Sequence, residues 1–390
     1  MSGPLRVLQV IDSLDPPGGA ERSVSMLAPH LLRDEGVEVH IAYLLDRVGY
    51  QQELRDAGVG VHSLADGEPS RRRWVLRAKD VIGALQPDLV HTTLFEADLA
   101  GRRAAASLGV PCISSLVNTA YGRIESGGSG GLHPFKVRAA QAADAFTARH
   151  VTRFHAITEH VATVMRRRLL IPAHKIEIIP RGRDPQVLGR RTAERAADMR
   201  RQLGVGDVPL ILAVGRHEPQ KAFDVLFNAL PTVLAQYPEA HVCVAGRAGR
   251  STPKLEELIR AHGLGETVTF LGVRDDVADL MAAADVLAFP SLWEGAGGTL
   301  LEAMALECPV VASRLPAVSE TLDDATAELV VPGDPGDLAR GLMAVLADRR
   351  AASDRAGLAR KRFEKDFTIE VSAALTAALY RRVTGRLTSA

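Results

Sequence analysis

The stretch LILAVGRHEPQKAFDVL, residues 210–226, shows the strand–turn–helix pattern that recurs along the chain and predicts its fold. An apolar run ends at Gly215, and a helix-forming segment follows Lys221 after a short polar turn. An apolar strand, a glycine turn and a helix in this order are typical of a parallel sheet covered by helices. Similar apolar runs are LRVLQVI, VEVHIAYLL, VGVHSL, DLVHTT and PCISSLV in the first half, and AHVCVAG, TVTFLG, DVLAFP and PVVAS in the second.

Helical patterns separate these strands, for example at residues 21–35, 97–108, 224–236 and 254–262. The sequence therefore predicts an α/β fold of two doubly wound, Rossmann-like domains facing a central cleft, since ligands of such sheets bind at the carboxyl ends of the strands. The arginine-rich stretch 181–202, with its proline breaks, marks the boundary. We expect domains at residues 1–185 and 200–367, and a C-terminal helix at 368–390 that packs back on the first domain.

Composition limits the classes of function. The chain has 390 residues, 46% of them hydrophobic, and a formal net charge of zero, which does not favour nucleic acid as a partner. The three cysteines are far apart in apolar runs and are expected to be reduced core residues. No apolar run approaches the ~20 residues that span a bilayer, and the first residues lack a signal-peptide pattern. We therefore expect a cytoplasmic protein.

Two glycine turns are suited to anions. Gly18 and Gly19 precede the first helix, where backbone N–H groups can face a phosphate, although such turns are also often purely structural. The turn lacks the G-x-G-x-x-G spacing of dinucleotide-binding oxidoreductases. In the second half, Gly215 is followed by Arg216, and Lys221 precedes the helix. Two cations at one turn suit a diphosphate, and the alternative is a pair of solvated surface charges.

The stretch EGAGGTLLEAMA, residues 294–305, places glycines between two glutamates. Gly297 and Gly298 are predicted to begin a helix and to expose N–H donors. Glu302 can accept hydrogen bonds from a vicinal diol, and Glu294 from another hydroxyl beyond the phosphates. This pattern indicates a nucleoside diphosphate-sugar. In the alternative interpretation, Glu302 only completes a helix face and Glu294 caps the turn.

The E-x7-E pattern in EGAGGTLLEAMALECPVVAS, preceded by AADVLAFPS, resembles the signature of the retaining glycosyltransferases of family 4, which have the GT-B fold. The resemblance extends over GGAER, DLVHTTLFEADLAGR, KIEIIPRGRD, GRHEPQKAFDVL and LVVPGDPGDLA. It implies that Arg216 and Lys221 hold the diphosphate, that Glu302 holds the ribose and that Glu294 contacts the sugar. The implied donor-binding residues are Gly18, Gly19, His91, Gly215, Arg216, Lys221, Glu294, Gly297, Gly298, Thr299 and Glu302, with Arg216, Lys221 and Glu294 also catalytic.

The chain departs from the family pattern at several positions. Ala222 stands where a glycine usually follows the lysine, and Ala296 where a bulky residue often follows the first glutamate and glycine. Val117 and Asn118 stand where many members have a histidine. His91 matches another frequent family histidine, and a structural role for it remains open beside a ligand role.

The resemblance implies transfer of a hexose, with retention of configuration, from a UDP- or GDP-sugar to a hydroxyl acceptor of a glycan, glycolipid or small molecule. No cofactor is implied, and no D-x-D motif indicates a metal. A nucleotide-sugar epimerase and a non-catalytic nucleotide-sugar sensor are the alternatives. The segment GGSGG at 127–131 formally matches a hydrolase nucleophile elbow but does not follow a buried strand.

The acceptor side is expected in the first half. The glycine-rich loop at 118–134 is typical of a mobile binding segment. The basic clusters RRRWVLRAK (71–79) and Arg166–Arg168 are either solvated helix faces or a peripheral contact with an anionic membrane at its inner face.

Overall fold

The computed structural model describes residues 3–16, 18–65, 67, 69–122 and 134–386. The chain divides into two compact units: unit 1 comprises Met1–Asp184 and Phe367–Ala390, and unit 2 comprises Pro185–Asp366. No helix in the described residues is long and apolar enough to cross a membrane.

Unit 1 contains a seven-stranded parallel sheet with the order β3-β2-β1-β4-β5-β6-β7. The first five strands in the chain coincide with the apolar runs of the first half. The last two were not predicted, because strands of four and three residues are too short to show periodicity. The strands are β1 (Leu5–Ile11), β2 (Val37–Tyr43), β3 (Gly60–Ser63), β4 (Leu89–Thr93), β5 (Cys112–Leu116), β6 (Arg153–Ala156) and β7 (Ile176–Ile178).

Helices cover both faces of this sheet. Thr158 caps the sixth helix by accepting from the Val161 N–H at 3.1 Å, and Thr368 caps the C-terminal helix in the same way. The helices of unit 1 are α1 (Gly19–Arg33), α2 (Gln51–Asp56), α3 (Arg71–Leu85), α4 (Phe95–Leu108), α5 (Pro134–Ala148), α6 (Glu159–Leu169) and, after the helices of unit 2, α16 (Ile369–Thr384).

The two faces of strand β1 belong to two hydrophobic cores. Leu5, Val7 and Ile11 pack with residues of α1 and α16, and Leu8 and Val10 pack with residues of α3 and α4. This alternation is expected for a strand covered on both faces. Gln9 is an odd-numbered residue of β1, like Leu5, Val7 and Ile11. Its polar side chain therefore points to the face covered by α1 and α16.

Backbone hydrogen bonds connect the start of the C-terminal helix with Arg183, near the end of the first segment of unit 1. The Arg183 N–H donates to the Phe367 carbonyl at 3.0 Å, and the Ile369 N–H donates to the Arg183 carbonyl at 2.9 Å. Substituting Gly182 would bring a Cβ within 2.4 Å of the Thr368 carbonyl oxygen, so the close approach requires a glycine. The segments on either side of unit 2 are thus paired within unit 1.

Unit 2 repeats the plan with a six-stranded parallel sheet of order β10-β9-β8-β11-β12-β13. The prediction of two parallel-sheet α/β domains is confirmed, with β13 as a further short strand. The strands are β8 (Leu210–Val214), β9 (His241–Ala245), β10 (Val268–Gly272), β11 (Val286–Phe289), β12 (Val310–Ser313) and β13 (Glu328–Val330). The helices are α7 (Pro185–Leu188), α8 (Ala193–Leu203), α9 (Phe223–Gln236), α10 (Thr252–Ala261), α11 (Val277–Ala283), α12 (Gly298–Ala305), α13 (Pro316–Ser319), α14 (Pro335–Ala347) and α15 (Arg349–Asp366).

Candidate active site

Two glycines lie against each other at the ends of neighbouring strands, Gly215 in the turn after β8 and Gly246 after β9. Gly215 has a φ of +152°, and a Cβ there would lie 3.0 Å from Cε of Lys221, so the lysine stem lies against the turn. A Cβ on Gly246 would lie 1.9 Å from the Gly215 carbonyl oxygen. The backbone of the turn is therefore fixed from both sides, with the side chain of Lys221 directly above it.

Lys221 ends a 3₁₀ turn, Pro219–Lys221, before α9. Its Nζ lies 2.6 Å from Oε1 of Glu294, and the two side chains are 18% and 8% exposed. The ammonium also lies 4.9 Å from the ring centroid of Phe289, the last residue of β11. Two residues that the sequence assigned to different parts of a donor are thus in direct contact.

Glu294 is held by a second donor that the sequence analysis missed. Ser291 donates its hydroxyl to Oε1 of Glu294 at 2.9 Å, the same oxygen that binds Lys221. Ser291 and Glu294 are both buried, so the carboxylate has little freedom to reorient. A Ser three residues before the glutamate, after an apolar strand, was the available signal.

The lysine turn and the glutamate loop are also joined through their backbones. The Leu292 N–H donates to the Gln220 carbonyl at 2.9 Å. The Gln220 side-chain amide donates to the Trp293 carbonyl at 2.9 Å. Together with the ion pair, these bonds fix two segments that are far apart in sequence, which keeps the charged groups preorganised.

Arg216 lies directly after the turn and is exposed. Its guanidinium makes no hydrogen bond or ion pair with any residue in the described part of the chain. The cation next to the glycine turn is therefore available to an anionic ligand, whereas Lys221 is already paired with Glu294.

The second glutamate lies on α12. Gly297 caps this helix with a φ of +72°, and its position is set by Leu300 and Phe289, since a Cβ would lie 3.0 Å and 3.3 Å from their side chains. Gly298 and Thr299 form the first turn, whose N–H groups lack partners in the helix itself. Glu302, one turn on, is buried at 4% exposure. Phe289 therefore connects the helix start with Lys221.

In unit 1, the predicted Gly18–Gly19 turn begins α1. The side chain of Glu21 folds over Gly18, where a Cβ would lie 1.8 Å from Oε2. Burial raises the pKa of Glu21. Arg181 donates to the Gly19 carbonyl at 3.0 Å, which holds the turn in place.

His91 lies on the α1/α16 face of the sheet and takes part in a buried chain of hydrogen bonds. At one end, Nε2 of His155 donates to the Ile179 carbonyl at 2.9 Å, which leaves Nδ1 of the neutral ring as an acceptor. Ser115 lies 3.5 Å from that nitrogen and 2.8 Å from Nε2 of His91. Burial lowers the pKa of His155 to about 4. Burial, and to a smaller extent the nearby His155, lowers the pKa of His91 to about 3. Both rings are therefore neutral near pH 7.

The chain continues to the C-terminal helix. With Ser115 donating to His155, Nε2 of His91 donates to Ser115, and Nδ1 of His91 accepts from the Tyr380 hydroxyl at 2.6 Å. Tyr380 in turn accepts from Nε2 of Gln9 at 3.1 Å. Both ring nitrogens of His91 are thus occupied, which favours its structural role. Sequence could have indicated part of this network, because Gln9, His91 and Ser115 are polar residues in three of the predicted apolar strands. His155 lies in β6, which was not predicted.

Asp12 is a further residue that the sequence analysis missed. It follows β1, and its Oδ1 accepts from the Ala97 N–H at 2.7 Å at the start of α4. Burial raises the pKa of Asp12 to about 7, and the negative charges of the nearby Asp98 and Glu96 contribute to this shift. The hydrogen bond from Ala97 has the opposite, smaller effect.

The loop expected to bind the acceptor is described only up to residue 122, and the segment at 127–131 lies outside the described residues. The loop entry is held by α5 and α6: Tyr121 donates to Oδ2 of Asp144 at 2.6 Å, and Arg168 donates to the Thr119 carbonyl at 2.7 Å. One arginine of the cluster at 166–168 therefore positions this loop.

In the described residues, no group of three or more His, Cys, Asp and Glu side chains could hold a metal ion. Of the predicted site residues, the structure brings Gly215, Lys221 and Glu294 into contact, with Arg216 beside them. Gly297, at the start of α12, packs against Phe289, whose ring also lies 4.9 Å from the Lys221 ammonium.

Comparisons with known proteins match both halves of the chain. Residues 17–187 match the family model Glycosyltransferase Family 4, and residues 208–348 match Glycosyl transferases group 1. The chain belongs to glycosyltransferase family 4.

Two relatives of this family illustrate its range. An alpha-D-kanosaminyltransferase of Streptomyces kanamyceticus is 28% identical over 45% of this chain and 46% of its own. A GDP-mannose-dependent monoacylated alpha-(1-6)-phosphatidylinositol monomannoside mannosyltransferase of Corynebacterium glutamicum is 34% identical over 50% of this chain and 53% of its own. The matches thus span about half the length of these relatives.

Among solved structures, Anabaena HepE in complex with UDP and glucose is similar with a TM-score of 0.84. The identity is 21%, and the match covers 97% of this family 4 chain and 100% of HepE. The likeness shows that the fold is GT-B, as predicted.

Proposed function

We propose that this protein transfers a hexose from a nucleoside diphosphate-sugar to a hydroxyl acceptor, with retention of anomeric configuration and without a metal ion. The observation that carries the proposal is the Lys221–Glu294 contact of 2.6 Å above the Gly215 turn, with the unpartnered guanidinium of Arg216 beside it in the described structure. A cation fixed by a carboxylate and a second, available cation suit a diphosphate that carries a sugar.

In this assignment, Arg216 and Lys221 bind the diphosphate, and the N–H groups at Gly298 and Thr299 add donors. Glu302 accepts hydrogen bonds from the ribose, and Glu294 from a hexose hydroxyl. The donor classes come from similar proteins: HepE was solved with UDP and glucose, and the Corynebacterium relative is named for GDP-mannose. A UDP- or GDP-linked hexose is therefore the donor to test. The roles of Gly18 and Gly19 in unit 1 remain predictions.

The chemistry requires no enzymic nucleophile. The acceptor oxygen bonds to the anomeric carbon on the face from which the diphosphate oxygen leaves, and the acceptor proton passes to that diphosphate oxygen. Negative charge grows on the leaving group as the glycosidic bond breaks. Lys221, held in place by Glu294, and Arg216 stabilise this charge. Stabilisation of developing charge by preorganised groups is a main source of rate acceleration in enzymes.

The proposal includes a peripheral contact between helix α3 of unit 1, on the acceptor-binding side, and an anionic membrane. Helix α3 exposes Arg72, Arg73 and Arg77, and between them Leu76 is 53% exposed. Cations around an exposed apolar side chain suit the surface of an anionic bilayer, where a lipid-linked hydroxyl acceptor would lie. Arg71 contributes differently, since it pairs with Glu96 at 2.5 Å.

The test is a turnover assay on the purified protein in EDTA with UDP- and GDP-hexoses, followed by NMR. We expect release of nucleoside diphosphate and a first-formed sugar product that has the anomeric configuration of the donor. An isomeric nucleotide sugar would identify an epimerase, and binding without turnover a sensor. Either result, or inversion of configuration, would overturn the proposal.

A further inference from the structure

The turns after β8 and β9 lie side by side at the carboxyl ends of these neighbouring strands in unit 2. The two strands are paired as far as their last residues. The pairing continues into the turns, because the Gly215 N–H donates to the Ala245 carbonyl at 2.8 Å and the His217 N–H donates to the Arg247 carbonyl at 3.1 Å. Arg216 and Arg247 are therefore neighbours across the two turns.

His217 connects these two turns. Its side chain is buried, and its Nδ1 lies 3.1 Å from the hydroxyl of Thr252, the first residue of α10. The Ser251 N–H donates to the His217 carbonyl at 2.9 Å. A Cβ on Gly249 would lie 2.6 Å from the same carbonyl oxygen, so the turn after β9 is folded closely around His217. The backbones of the two neighbouring arginines are thus fixed together.

The arginines of these turns differ in their partners. Arg250, in the same turn as Arg247, lies 2.7 Å from the carboxylate of Glu218. Arg247 is exposed, and its guanidinium makes no hydrogen bond or ion pair with any residue in the described ranges. It shares this property with Arg216. Two available guanidinium groups therefore come from neighbouring strand ends, next to the turn that carries Lys221.

The charge of the proposed donor favours a further cation. The diphosphate of a nucleoside diphosphate-sugar carries two negative charges, and its terminal phosphoryl group gains charge when the sugar leaves. The two cations assigned to the donor, Arg216 and Lys221, are matched by two carboxylates. With Glu294 and Glu302 counted, the assigned residues have no formal net charge. Since the proposed reaction uses no metal ion, another protein cation would stabilise the bound diphosphate.

We propose that Arg247 is a further donor-binding residue, which contacts the diphosphate together with Arg216. Two guanidinium groups can bind different phosphoryl oxygens, and their planar donors suit phosphate. The inference rests on the proposed function and extends it to a residue that is not among those implied by the family resemblance. Because the side chain of Arg247 is exposed, its substitution should leave the fold intact.

The experiment is calorimetry on the full chain with UDP and GDP, and the variants are titrated with the nucleotide that wild type binds more tightly. Arg247→Gln should weaken this binding by about ten- to a hundredfold, the scale of one charge-assisted hydrogen bond. Arg247→Lys should recover part of the affinity, since it restores the charge but not the planar fork. Arg260→Gln should change the affinity little. It is the matched control, because Arg260 is also exposed but lies in the last turn of α10.

A second measurement separates the phosphates from the base. Saturation-transfer NMR with the corresponding nucleoside, uridine or guanosine, should give equal binding to wild type and Arg247→Gln, because the nucleoside has no phosphate. A weaker nucleoside signal in the variant would place the guanidinium on the base and overturn the inference. Circular dichroism checks that each variant is folded.

The calorimetry also separates this inference from the proposed function. If wild type binds UDP or GDP and Arg247→Gln loses no more affinity than Arg260→Gln, the inference is wrong and the proposed donor stands. Wild-type protein that binds neither nucleotide would contradict the proposed function itself, and the role of Arg247 with it.

Discussion

Lys221 and Glu294 form an ion pair of 2.6 Å in which both partners are mostly buried. Ser291 donates to the same carboxylate oxygen, and the backbone of the glutamate loop is bonded to the lysine turn. The cation proposed for the diphosphate and the carboxylate proposed for the sugar therefore cannot move independently. The Lys221 turn and the Glu294 loop of unit 2 thus form one preorganised element.

Lys221→Ala should reduce turnover by about 10²–10³, the loss seen when a preorganised charge-stabilising donor is removed. Lys254→Ala is the matched control, because its Nζ also lies 2.6 Å from a carboxylate, Asp224, but its side chain is 62% exposed. Initial rates of donor hydrolysis in EDTA give both values. Near-wild-type turnover of Lys221→Ala would show that the diphosphate binds elsewhere.

Ser291→Ala should lower kcat by roughly three- to tenfold with a small change in donor KM, because a hydrogen bond of about 0.5–1.5 kcal/mol that positions Glu294 is lost. Ser291→Thr should restore the rate. Ser107→Ala, which removes a hydroxyl bonded to the Ala104 carbonyl in unit 1, is the control. A loss that Thr does not rescue would mean that packing, and not the hydroxyl, matters.

Glu302→Gln should weaken binding of the free nucleoside diphosphate by about tenfold or more, because a carboxylate accepts from both ribose hydroxyls more strongly than an amide. Glu294→Gln should leave that affinity nearly unchanged and reduce turnover, since its proposed contact is to the sugar. Calorimetry with UDP and GDP measures the difference. Equal losses of affinity would contradict the division of roles.

Asp12→Asn should stabilise the protein above neutral pH. The folded pKa of Asp12, about 7, is higher than its ordinary value, so the folded state binds the proton more tightly and loses stability as the pH rises between those two values. Asn keeps an acceptor for the Ala97 N–H without the charge. Its Tm relative to wild type should rise by at least about 2–4 °C from pH 4.5 to pH 8, the shift that 1 kcal/mol gives in a domain of this size. Asp56→Asn, at an exposed site, should show no such trend.

Changing Arg72, Arg73 and Arg77 to Gln should abolish sedimentation with anionic vesicles and leave donor hydrolysis intact. The matched control changes three exposed arginines of unit 2, Arg201, Arg250 and Arg314, and removes the same charge. Salt should weaken wild-type binding, because exposed charges are screened over ~8–10 Å at physiological ionic strength. Sedimentation that survives the α3 changes would exclude this helix as the contact.

Sequence was sufficient for the features that depend on local pattern. The apolar runs predicted ten strands, and the glycines at 215 and 297 were correctly placed at strand and helix ends. The contact of Lys221 with Glu294 could not be predicted, because it depends on the order of β8 and β11 in the sheet. The role of His91 was left open for a similar reason: its partner Tyr380 lies on a helix at the other end of the chain.

The position of Tyr380 has a consequence for biosynthesis. Unit 1 begins at the N-terminus but is completed only by α16, which is translated after the whole of unit 2. At 5–20 residues per second, synthesis of unit 2 takes roughly 10–40 s. During this time the nascent unit 1 has an open apolar face at β1 and α1, and Gln9 and His91 lack their shared partner. Most of unit 1 is thus synthesised before unit 2, but unit 1 closes only after unit 2 has been synthesised.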